Sequence, residues 1–178
     1  MKLMIASDLH GSAYYTEKLL QAMERQQPDK LLLLGDLLYH GPRNDLPRDY
    51  APKQVLAMLN GVKEKLLCIR GNCDTEVDQM VLEFPILAEY ALLWVDGLTV
   101  YAIHGHKDLD APLAPGTVLL CGHTHVPAIR QEHGHYYVNP GSVSIPKEGS
   151  CHGYMVLENR RLTHWALEPG ETLAPFTF

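Results

Sequence analysis

The chain reads as an α/β domain of two packed sheets with helices outside, and three observations predict it. Short, continuously apolar runs, LMIAS (Leu3 to Ser7), LLLL (Leu31 to Leu34) and Leu66 to Ile69, are what strands buried on both faces produce. Segments of helical periodicity separate them, the order expected of right-handed parallel crossovers. Beyond Phe84 and Pro85 the pattern changes to hairpins, so the second half is mostly β.

Taken in order, the first strand ends in Asp8 and His10, followed by Gly11. Tyr14 to Gln26 carries Leu19, Leu20 and Met23 at helical spacing and stops before Pro28. LLLL ends in Gly35 and Asp36, and the Pro-rich excursion HGPRNDLPRDYAP (His40 to Pro52) leads to a helix around Pro52 to Asn60. The third strand ends in GNCD, Gly71 to Asp74. Glu89 to Val95 and Leu98 to Ile103 flank the turn signal Asp96-Gly97, and the second of these strands ends in HGH. Val118 to Cys121 ends in GHTH, and two further hairpins turn near Glu132 to Gly134 and near Asn159 and Arg160. With 178 residues, 46% of them hydrophobic, the chain suffices for one domain spanning residues 1–178.

Composition narrows the function classes. The formal charge is −6 and the basic residues are scattered, so no footprint for a nucleic-acid backbone appears and no polymer partner is expected. The N-terminal apolar run is too short for a signal peptide and no stretch has membrane-spanning length, so the expectation is a soluble cytoplasmic protein without a membrane partner. Four cysteines, Cys68, Cys73, Cys121 and Cys151, are spread without a CxxC pair, which favours reduced thiols. Homo-oligomerisation is left open; the C-terminal aromatics have either a neighbour or the domain itself to pack on.

Five strands end in side chains that bind metals: Asp8 with His10, Asp36, Asn72, His104, and His123 with His125. Strand C-termini share one edge in open α/β sheets, so these residues are placed to converge on one crevice. In DLH and HTH the two side chains are two positions apart, which extended backbone would project to the same side. Any one such residue is commonly just a turn residue; the set in this order is not. Two carboxylates, four imidazoles and one amide oxygen exceed a single tetrahedral zinc and suit two divalent ions ~3.5–4 Å apart, with Asp36 as the natural bridge. The ligand list alone does not choose among Mn, Zn, Fe, Ni and Co; manganese is the expectation. Two divalent ions against two carboxylates and a hydroxide leave the site about one unit positive, which suits a phosphate ester.

The order D-x-H, G-D, G-N, H-G-H, G-H-T-H resembles the calcineurin-like metallophosphoesterase superfamily over nearly the whole chain. GDLLYHGPRN, GNCD and NPGSVSIPK (Asn139 to Lys147) are most similar to its bacterial YfcE-type phosphodiesterases. The resemblance implies a four-layer α/β/β/α sandwich of two mixed sheets. It also implies one metal on Asp8, His10, Asp36 and His125, and the other on Asp36, Asn72, His104 and His123. The implied activity is hydrolysis of small phosphodiesters by a metal-bridging hydroxide. Two alternatives of the same fold stay open: a phosphomonoesterase or nucleotide phosphatase, and a scaffold similar to the retromer subunit.

The sequence departs from that family where a second aspartate and a histidine commonly assist the leaving group: Tyr39 and Cys73 stand there instead. Cys73 is a catalytic candidate as a weak proton donor, its thiol lowered by nearby cations; the alternative is a space-filling residue without a chemical role. His106 is a candidate beside the ligands, orienting one of them or touching phosphate, and Tyr39 and His40 are further possible donors. Arg43, Asn44 and Arg48 are expected over the site edge, with Arg43 near phosphate. His133, His135, His152 and His164 are expected in solvated or edge positions, and NPGSVS as a turn capping the site.

Overall fold

The computed structural model describes residues 1–107, 109 and 112–178. Strand β1 (Leu3–Ala6) runs into helix α1 (Ala13–Gln26), which Ser12 starts by accepting the Tyr15 N–H on its hydroxyl and Gln27 stops in the left-handed conformation. Strand β2 (Lys30–Leu33) and the long excursion lead to helix α2 (Pro52–Asn60), with Pro52 in its first turn and Gly61 at its end. A 3-10 turn (Lys63–Lys65) precedes β3 (Leu66–Cys68). Helix α3 (Glu76–Gln79) is a single turn that the sequence analysis did not include; its one local signal is the capping box of Thr75 and Asp78. The remaining elements are strands: β4 (Ala91–Val95), β5 (Leu98–Ala102), β6 (Val118–Leu120), β7 (Ala128–Glu132), β8 (His135–Asn139), β9 (Gly153–Glu158), β10 (Arg161–Ala166) and β11 (Phe176–Thr177).

They form two mixed sheets, one of six strands in the order β11-β10-β9-β1-β2-β3 and one of five in the order β4-β5-β6-β8-β7. β1, β2 and β3 are parallel, as are β5, β6 and β8, so the C-terminal ends that carry the polar motifs lie along common edges. Alternation along β1 and β2 explains their all-apolar sequences. Met4, Ala6, Leu31 and Leu33 face the helices, while Leu3, Ile5, Leu32 and Leu34 face the second sheet, where they meet Val100, Val118 and Val138. Each fully buried leucine contributes about 2 kcal/mol by removal from water.

The α/β class and the two packed sheets are as expected. Helices α1 and α2 pack on the six-stranded sheet, and Leu92 and Trp94 of the five-stranded sheet are exposed. The C-terminal aromatics pack on the domain itself, Phe176 and Phe178 standing 5.6 and 5.1 Å from the Tyr136 ring. All four cysteines are free. No helix of the described residues is long and apolar enough to cross a membrane. Two histidines expected at solvated positions are packed instead: His164 is buried, and His152 stacks on Tyr15 at 3.8 Å. Hairpin position alone does not reveal which face of a strand lies inward.

Candidate metal centre

The polar residues that follow β1, β2, β3, β5 and β6 come together where the C-terminal edges of both sheets meet. The local backbone that aims them is not the extended pleat expected for DLH and HTH. Asp8 (φ 58°), His10 (46°), Asp36 (56°), His123 (66°) and His125 (62°) all adopt left-handed conformations, which costs non-glycine residues on the order of 1 kcal/mol each and persists only where the surroundings enforce it. Here the enforcement is visible. The Asp8 N–H donates to Gly35 O, the His10 N–H to Asp36 O and the Gly122 N–H to His104 O, tying successive loops together. Gly71 and Gly122 are needed for these approaches: a Cβ would overlap Asp36 Oδ1 at the first and Ser7 Oγ at the second.

Three imidazoles are oriented in one way. His10 Nδ1 is 2.8 Å from Tyr39 O, His104 Nδ1 is 2.6 Å from Leu34 O, and His125 Nδ1 is 2.6 Å from Ile145 O. A backbone carbonyl accepts only a proton, so Nδ1 donates in each ring and Nε2 of the neutral ring presents a lone pair to the centre. Those Nε2 atoms crowd together with carboxylates. His10 Nε2 lies 3.2 Å from His125 Nε2, 3.5 Å from Asp8 Oδ1 and 3.7 Å from Asp36 Oδ2, while His104 Nε2 lies 3.5 Å from Asp36 Oδ2 and 3.1 Å from Asn72 Oδ1. Asp36 thus stands between the His10 group and the His104 group.

Lone pairs facing lone pairs and carboxylates demand positive charge between them. Asp8 Oδ1 makes this plain: it is buried with no hydrogen-bond donor, although His125 Nε2 is only 3.2 Å away. The same demand appears as proton affinity. Burial opposes it, yet Asp36 and Asp8 push His104 up to about 9 and raise His10 as well. Asp8 and Asp36 are in turn held below the ordinary carboxylate range against their burial, Asp8 by His10 and His125 and Asp36 by His104. The donor set therefore fits divalent cations. Groups compact enough to hold one are Asp8, His10 and His125; Asp8, Asp36 and His104; and His10, Asp36 and Cys73. His123 approaches from the rim, its ring 5.1 Å from that of His104 and its backbone N–H on Asp8 Oδ2 at 3.1 Å. Burial and the His104 charge lower its proton affinity.

Asp74 belongs to this centre and the sequence reading did not single it out. Its buried carboxylate accepts the N–H groups of Asp36 (2.8 Å), Leu37 (2.9 Å) and Gly71 (2.7 Å), clamping the loop after β2 to the loop after β3. Burial pushes its pKa up to about 6, against the pull of those N–H groups. An aspartate three positions after Gly71 is a local turn signal, but its cross-link to residues 36 and 37 is tertiary. Similarly, Ser142 and Ser144 in NPGSVS both donate hydroxyl protons to Asp8 O, at 2.8 and 3.0 Å, so this turn supports the first ligand loop rather than supplying a nucleophile.

A cavity of about 450 Å³ opens over the donors, lined in part by His10, Asp36, Asn72, His123 and His125. Cys73 is on its wall, where burial and the bare Asp36 carboxylate push its thiol up to about 12. His106 does not line the cavity; its ring lies 5.5 Å from that of His104 and its Nδ1 is buried without a partner among the described residues. Tyr39 and His40 are likewise outside the lining. Arg43 and Asn44 do line it, whereas Arg48 turns away and lays its guanidinium 3.5 Å above the Tyr14 ring.

Known proteins resemble the chain in sequence and fold. The chain is 44% identical to the phosphodiesterase YfcE of Escherichia coli K12, covering 98% of this chain and 96% of that protein. A solved structure of YfcE, described as a phosphoesterase from E. coli, superposes with a TM-score of 0.94 over 99% of both chains. Vacuolar protein sorting 29 from Cryptosporidium parvum shares the fold at 16% identity, with a TM-score of 0.66 over 99% of this chain and 98% of that one. Residues 1–161 match the calcineurin-like phosphoesterase superfamily domain, and the chain belongs to that superfamily.

Proposed function

We propose that the protein is a phosphodiesterase that hydrolyses small phosphodiesters with the help of two divalent metal ions, manganese first among them. The observation that carries this is the set of inward Nε2 atoms on His10, His104 and His125, each locked by a backbone carbonyl and facing Asp8 and Asp36. Its 44% identity to a phosphodiesterase over nearly the full chain supports the diester reading. Asp8, His10, Asp36 and His125 would hold one ion, and Asp36, Asn72, His104 and His123 the other. Ions bound there would supply a hydroxide nucleophile at neutral pH and positive charge for the non-bridging phosphoryl oxygens. The chain's own part is to hold the ligand geometry through Asp74, Ser142 and Ser144, and to present Cys73 at the cavity wall. A thiol is a shorter and softer acid than the histidine this family commonly has there, so esters with acidic leaving groups are favoured.

The test is metal analysis with turnover of bis(4-nitrophenyl) phosphate and 4-nitrophenyl phosphate. Bound metal and faster diester cleavage are expected. Absence of bound metal together with no hydrolysis in added Mn²⁺ overturns the enzyme reading in favour of a scaffold, and faster monoester cleavage replaces it by a phosphomonoesterase.

A further inference from the structure

Two cations on the cavity lining are unaccounted for by the metal chemistry. Arg43 and Lys147 come from separate loops, both are exposed, and among the described residues neither makes an ion pair. The loops that carry Arg43 and Lys147 are anchored to the centre. The Lys147 N–H donates to His125 O at 3.2 Å, and the Arg43 turn is closed by Asn44 Nδ2 on His40 O at 2.8 Å and packs against Cys73, whose Sγ a Cβ on Gly41 would meet at 3.3 Å. A metal pair about one unit positive already matches the single negative charge of a diester. Arg43 and Lys147 then remain as surplus positive charge facing the rest of the substrate. That remainder meets no aromatic plate: apart from imidazoles, the lining contributed by the described residues holds no ring of Phe, Tyr or Trp. Recognition of the arm therefore falls to charge and hydrogen bonding rather than to stacking.

Resting on the phosphodiesterase reading, we propose that Arg43 and Lys147 are specificity-determining residues, selecting diesters whose non-leaving arm carries a second anionic group such as a carboxylate or phosphate. The experiment compares propyl 4-nitrophenyl phosphate with 2-carboxyethyl 4-nitrophenyl phosphate, which share leaving group and arm length, on the metal-loaded enzyme. The wild type should prefer the carboxyethyl ester about tenfold in kcat/KM, expressed in KM, and the preference should shrink as salt screens it. Arg43→Gln and Lys147→Gln should each reduce that ratio about threefold, the scale of an exposed ion pair, and the double variant should abolish it. A ratio near one in the wild type, or an undiminished ratio in the double variant, overturns the proposal while leaving the diester reading intact. Hydrolysis of neither ester by the metal-loaded wild type overturns the diester reading and the selectivity with it.

Discussion

Replacing Asp74 by alanine isolates the clamp between the loops that carry Asp36 and Asn72. The side chain is buried and accepts three backbone N–H groups at 2.7–2.9 Å. Removing it leaves those donors without an acceptor, at about 1–2 kcal/mol each, or roughly 3–6 kcal/mol together. Against this stands relief from burying a carboxylate. Its pKa is pushed up to about 6 even with those N–H groups pulling it down, so burial of the charge offsets part of the hydrogen-bond gain. Hydrogen bonding wins, and Asp74→Ala should lose about 2 kcal/mol in urea unfolding at pH 7. Asp74→Asn, which keeps one acceptor oxygen, should fall between the two. Metal titration followed by thermal unfolding should show weaker binding in Asp74→Ala, because the Asp36 and Asn72 loops are no longer tied. An Asp74→Ala protein within about 0.5 kcal/mol of wild type and with unaltered metal affinity would refute the clamp.

Three further outcomes are expected. Burial lowers the His164 pKa from 6.5 to about 4, so the unfolded chain takes up a proton that the folded one refuses. The corresponding stability is present above pH 6.5 and lost as pH falls toward 4, by about 3 kcal/mol, and His164→Gln should flatten that limb of the stability profile. In Ser142→Ala/Ser144→Ala the loss of both hydroxyl donors to Asp8 O should cost about 1–2 kcal/mol in urea and weaken metal binding, measured by titration. Comparing Cys73→Ala and Cys73→His on diesters of good and poor leaving groups separates the two readings of that residue. A proton-holding role predicts that histidine raises rates chiefly on poor leaving groups, and unchanged turnover of all substrates in both variants leaves Cys73 as a space filler.

Much of the fold was legible because strand burial and helix periodicity are written locally. The α2 limits, the Asp96-Gly97 hairpin and the parallel β1-β2-β3 order were all readable from apolar runs and turn residues. What escaped was short or depended on facing. One helical turn at Glu76–Gln79 is too brief for periodicity to show, and His164 occupies the inward face of β10, which its hairpin position did not disclose. DLH and HTH were read as extended pairs; their left-handed φ values are stabilised by hydrogen bonds from distant loops, which local propensity does not anticipate.

The sequence by itself determined the chemistry on offer: which donors exist, that they follow buried strands, and that glycines stand beside them. Those are properties of residue type and local spacing. Only the tertiary structure decided how the donors are used. It turned the Nδ1 atoms of three histidines onto the carbonyls of Leu34, Tyr39 and Ile145, placed Asp36 between two groups of ligands, and sent Arg43 to the cavity but Arg48 to Tyr14. Each of those outcomes is a contact between residues far apart in the chain, set by the packing of two sheets, and no local pattern encodes it.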